Sequence, residues 1–126
     1  MSVKDKYQSV LSLGEQLGAK DGKVTVENGI LKIKGTVKSQ YEKDILWDEI
    51  KKAGGEKPSD ILANIIVDDT SVYHRHEVKG GESLSKIAKH YYGDPMKYNA
   101  IFEANRNLLD NPDLIHPGQV LVIPNP

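Results

Sequence analysis

At 126 residues, with 38% hydrophobic and 28% charged side chains, the chain has the composition of one ordinary globular domain or two small ones. Seventeen basic against eighteen acidic residues leave a net charge of −1 with no run of like charge, which argues against a nucleic-acid binder and its clustered basic face. The absence of cysteine excludes disulfide staples, thiol nucleophiles and thiolate metal sites, and favours a reducing compartment.

From Met1 to Leu17, apolar residues at Val3, Tyr7, Val10, Leu13 and Leu17 recur at helical steps. Lys4, Asp5, Lys6 and Glu15 interrupt any apolar core, so the segment reads as an amphipathic helix and not as a signal peptide or membrane span. A cytoplasmic location is the resulting expectation. Gly18 is the expected stop. Lys23 to Glu27 and Ile30 to Lys34 flank Asn28-Gly29, a pair suited to the positive φ angles of a type I′ hairpin turn. Ser39 and Glu42 form a capping box for a helix carrying Ile45, Leu46, Ile50 and Ala53, which Gly54-Gly55 ends. Ile61 to Val67 is rich in β-branched residues and reads as a largely buried strand. Helix, strand, strand, helix, strand describes a small α+β layer.

This order, with Lys34-Gly35-Thr36-Val37 ahead of the second helix and Leu62-Ala63-Asn64-Ile65-Ile66-Val67 as the last strand, resembles the BON domain over roughly Gly18 to Asp69. The resemblance implies a binding module for membranes or other ligands. It places an αββαβ domain at 1–69 and a linker at 70–75.

A second pattern occupies residues 76–126. His76 to Lys79 reads as a brief strand, Gly80-Gly81 as a turn, and Ser83 as the N-cap of a helix with Leu84, Ile87, Ala88 and Tyr91 on its apolar face. Gly93 suits the C-terminal cap, and Asp94-Pro95 restarts a helix bearing Tyr98, Ile101 and Phe102. Asn105 to Asp113 reads as a polar loop, Pro117-Gly118 as a type II turn, and Val120 to Ile123 as a returning strand. Strand, helix, helix, strand, with Gly81-Glu82-Ser83-Leu84 and Ile115-His116-Pro117-Gly118-Gln119 at its two loops, resembles the LysM family. It departs from the family where a tyrosine is common, at His76, and where an aspartate is common, at Glu82. The resemblance implies binding of N-acetylglucosamine polymers. Gly81, Glu82, Ser83 and Leu84 would form one wall of the groove, and Leu114, Ile115 and His116 the other.

Catalytic and metal motifs are sparse. His74, His76 and His116 could begin a zinc site, and Asp68-Asp69 or Asp110 with Asp113 a hard-cation site, but none has a recognised ligand spacing, and solvated surface positions are the default. No Gly-x-Ser-x-Gly, phosphate loop or HExxH occurs, so no enzyme and no organic cofactor is expected. Tyr91 and Tyr98 are expected in the core, and Tyr92 is the better candidate for exposure. Trp47 lies beside its helix's main stripe.

The succession of the two patterns resembles the cytoplasmic potassium-binding BON–LysM proteins of bacteria. That resemblance implies K⁺ held by backbone carbonyls of the N-terminal half, with no assignable side-chain ligands. The expected protein is a monomeric, ion-responsive binding protein. The alternative is a cell-wall-associated module that recognises peptidoglycan or chitin.

Overall fold

Asn28 and Gly29 take φ angles of 52° and 76°, the left-handed pair that a tight hairpin needs. They join β1 (Lys20–Glu27) to β2 (Ile30–Ser39) as antiparallel neighbours. In the computed structural model, which describes residues 2–126, this hairpin is the heart of the first of two compact units, residues 2–70 and 71–126.

Ser39 ends β2 and caps α3 (Gln40–Gly54): its hydroxyl accepts from the Glu42 amide at 3.4 Å. The Glu42 carboxylate reaches back to the Lys38 N–H at 2.9 Å, one residue beyond the usual partner of a capping box. Helix α3 then returns the chain to β3 (Ile61–Asp69), which pairs parallel with β2, giving the sheet order β1-β2-β3. Leu31, Val37, Leu46, Ile50, Ile61 and Ile65 form the buried core, with Trp47 packed against it.

Two expectations change here. The first helix is broken into α1 (Val3–Lys6) and α2 (Gln8–Gln16) at Tyr7, while Met1 lies outside the described residues. Tyr7 is fully buried and its hydroxyl donates to Asp60 at 2.5 Å, while Lys6 pairs with the same carboxylate at 2.7 Å. Burial, followed by the Asp60 hydrogen bond and charge, pushes the Tyr7 phenol up to about 12. Strand β3 is also only half buried. Helices cover one face of the sheet, so its alternate residues Leu62 and Ile66 stand exposed on the other.

The second unit is built on a two-stranded antiparallel sheet of β4 (His74–Glu77) and β5 (Val120–Ile123). His74 and Arg75, expected in the linker, belong to β4, and Tyr73 before them is buried, its N–H bonded to the Ile123 carbonyl at 2.8 Å. Between the strands lie α4 (Leu84–Tyr92) and α5 (Tyr98–Ala104). Ser83 caps α4 through the Lys86 N–H, and Gly93 ends it in the left-handed conformation. Asp94 and Pro95 start a 3₁₀ turn at Pro95–Lys97 rather than an α-helix, and α5 follows it directly. A mixed α+β architecture results.

The loop after α5 is less polar than its composition suggests. Asn105 is only 1% exposed and Leu109 is buried. The Asn105 amide donates to the Ile101 and Val122 carbonyls at 2.7 and 2.8 Å, and its oxygen accepts the Val122 N–H at 2.8 Å. One side chain thus supplies β5 with part of the pairing that a third strand would give.

Candidate functional site

Strand β4 runs straight into the first expected wall of the groove. The Val78 N–H donates to the Gln119 carbonyl, and the Gly118 N–H to the Val78 carbonyl, both at 2.8 Å. These two bonds set the loop after β4 beside the turn before β5. In that turn Gly118 has φ 93°, and the Gln119 N–H donates to the His116 carbonyl at 3.2 Å. The Gln119 side chain accepts the His116 N–H at 2.8 Å, so the Pro-Gly-Gln motif closes on itself. Loop rigidity of this kind presents backbone groups to a ligand without an ordering cost at binding.

On the first wall, Gly81 adopts φ 84°, a left-handed turn position with open space beside it. Glu82 is the organiser. Its carboxylate accepts the Lys79 N–H at 2.6 Å and the His76 Nε2–H at 2.9 Å. Because a carboxylate only accepts, His76 carries a proton on Nε2; in the neutral ring Nδ1 then accepts the Tyr91 hydroxyl at 2.7 Å. Burial acts to raise the Glu82 carboxyl, but the bonds from His76 and Lys79 outweigh it and hold the group below the usual range. The two departures from the family pattern, His76 and Glu82, are therefore partners in one hydrogen-bonded chain.

The remaining residues divide sharply. The Leu84 side chain is 2% exposed and belongs to the core, so only its backbone can border the trough. The Ser83 hydroxyl is engaged in capping α4. Of the residues expected on the other wall, Leu114 is 59% exposed, Ile115 half-buried and His116 exposed. The surface left for a ligand combines an outward leucine, an imidazole, part of a carboxylate and glycine backbone. Groups of these kinds can seat a methyl group and exchange hydrogen bonds with amides and hydroxyls.

Among the described residues no group of three or more His, Asp or Glu side chains is placed to hold an ion. His76 faces Tyr91, whose ring also lies 5.6 Å from His74 and 4.8 Å from His90, centroid to centroid. Tyr92, expected at the surface, is half-buried: its hydroxyl donates to the Pro124 carbonyl at 2.5 Å, and burial pushes it up to about 12. Reading the sequence also missed Asn105 and the closing role of Gln119. The Pro-Gly-Gln motif gave a signal for Gln119, but Asn105 sat in an apparently ordinary polar loop.

No helix among the described residues is long and apolar enough to cross a membrane. Residues 76–124 match the LysM domain family. Over 49 residues, 39% of the chain, the sequence is 61% identical to an uncharacterized protein of Deinococcus radiodurans, of which the match covers 19%. Over the same length it is 55% identical to the potassium binding protein Kbp of Escherichia coli, of which it covers 33%. The matched segment thus spans about a fifth and a third of these relatives. Residues 76–124 are a LysM domain.

Proposed function

We propose that the chain is a non-enzymatic binding protein whose LysM unit holds an N-acetylglucosamine-containing glycan of the peptidoglycan or chitin class. The observation that carries this reading is the pair of Val78 backbone bonds that sets the loop after β4 beside the turn before β5, together with the exposure of Leu114 in the segment leading into that turn. Leu114 and Ile115 offer an apolar seat for an acetyl methyl. The backbone at Gly80 and Gly81 offers amide partners, and Glu82 and His116 border the sugar hydroxyls. Titration with N-acetylglucosamine oligomers should move the amide signals of Gly81, Leu114, Ile115 and His116. Leu114→Ala should weaken binding about tenfold, the equivalent of roughly 1.4 kcal/mol of lost apolar contact. Silence at both loops would dispose of the reading.

A second reading is favoured by one specific observation, the 55% identity of the LysM segment to a potassium binding protein. In that reading the αββαβ unit is of BON type and supplies backbone carbonyls to K⁺, and the protein is a cytoplasmic, monomeric ion-responsive partner of the ion. Ligand linkage then requires K⁺ to raise the melting temperature in a way that equimolar Na⁺ does not. Equal melting in the two salts counts against it and leaves the glycan reading untouched.

A further inference from the structure

The two edges of the N-terminal sheet are built differently. On β1, a break in register between Lys20 and Lys23, with Asp21 at φ 54° inside it, interrupts the strand. Bulges and lysines of this kind are the usual protection of an exposed edge against pairing with another chain. Strand β3 forms the opposite edge and has neither. Its pairing with β2 runs unbroken from Ile61 to Val67, a stretch without lysine, arginine, proline or glycine.

The free side of β3 also carries the groups that pairing needs. The Leu31 N–H donates to the Asp60 carbonyl at 2.9 Å, so the even-numbered residues of β3 turn their backbone groups toward β2. Ile61, Ala63, Ile65 and Val67 turn theirs to the open side, where they make no hydrogen bond among the described residues. Beside this row, Leu62 and Ile66 project from the uncovered face of the sheet, 58% and 42% exposed.

We infer that the free edge of β3 is a dimerisation site at which a second copy of this chain pairs antiparallel, with the two-fold axis at Asn64. The strand is self-complementary in that register. Leu62 faces the partner's Ile66 on both sides of the axis, at the closely spaced positions of the ladder. Ile61 meets the partner's Val67 and Ala63 the partner's Ile65, so every outward backbone group of these four residues gains a hydrogen bond. The neighbouring hydrogen-bonding registers oppose Leu62 to Asp68 or to Asn64 instead. Only the pairing about Asn64 sets apolar against apolar. It joins two three-stranded sheets into one continuous sheet. The edge is separate from the glycan groove, and it makes the chain a dimer where the potassium reading has a monomer.

Sedimentation of the full chain over a concentration series should show a monomer–dimer equilibrium. Amide hydrogen exchange should slow with rising concentration at Ile61, Ala63, Ile65 and Val67, while Leu62, Asn64 and Ile66 stay equally slow throughout. Leu62→Lys should weaken dimerisation about tenfold, because each dimer loses two apolar pairs, and should leave the melting temperature of the dilute monomer unchanged. Ile66→Glu should do the same. An equimolar mixture of the two variants should recover dimer, since the introduced lysine then faces the introduced glutamate and the remaining Leu62 faces the remaining Ile66. A monomer at every concentration, a dimer whose four outward amides stay fast, or a mixture no better than either variant alone would each overturn the assignment.

Discussion

The two units solve the problem of a small sheet in different ways. In residues 2–70 the ten-residue strand β2 has a neighbour on each side, so backbone ladders satisfy most of its polar groups and the helices need cover only part of it. The consequence is slack: an apolar space remains beside β1. In residues 71–126 each strand has four residues and one neighbour. A ribbon of that size is marginal alone, and side chains from the intervening segment must bind its free edge. Asn105 does so for β5, Tyr92 holds the Pro124 carbonyl just beyond that strand, and Glu82 fixes the loop after β4. The braced loops of one unit and the openness of the other thus follow from strand count and length.

The largest test of this contrast is Asn105→Ala. It should leave the Val122 amide and carbonyl without their side-chain partner and cost the C-terminal unit about 3 kcal/mol. Hydrogen exchange should show accelerated opening across residues 71–126, with the amides of β2 unchanged. The second test asks whether the N-terminal unit has any tight spot. An alanine methyl at Gly54 would lie impossibly close to the Tyr7 hydroxyl and 2.9 Å from Pro58, so Gly54→Ala should cost about 2 kcal/mol. In a Tyr7→Phe background the additional cost should be smaller, a non-additivity readable in a denaturation cycle.

The smallest effect belongs to Glu82. Its carboxyl is held below the usual range in the folded chain, so its contribution is fully present above the unfolded value of 4.5 and is lost as pH falls through the folded value. Glu82→Gln should lower stability by under about 1 kcal/mol at neutral pH and flatten the acid limb of the melting profile below pH 4.5. A mutant profile parallel to wild type would show that the His76–Glu82 contact does not hold the loop.

Local chemistry was legible in the sequence. The Asn28-Gly29 turn, the Ser39 and Ser83 caps, the Gly93 terminus and the Pro117-Gly118 turn each depend on residues within a few positions of one another. What escaped the sequence reading were partnerships across the fold. Tyr7 meets Asp60 across 53 positions, Tyr92 meets Pro124 across 32 and Asn105 meets Val122 across 17. No periodicity signals such pairs, because a lone polar residue in a loop looks the same whether it is solvated or clasped. At the candidate site, both loops were visible as motifs. The division of their residues between core, cap and surface was not, since Leu84 and Leu114 differ in exposure and not in kind.

The β4–β5 pairing also orders events during synthesis. Residues 2–70 have every strand they need once Asp69 has emerged, whereas the first strand of the following unit must wait for Val120 to Ile123 before it has a neighbour. Until then the apolar face of α4 has no finished sheet to cover. A chain that has emerged to anywhere between Glu77 and Gln119 would therefore display one unit with all its strands and one whose first strand still lacks its neighbour.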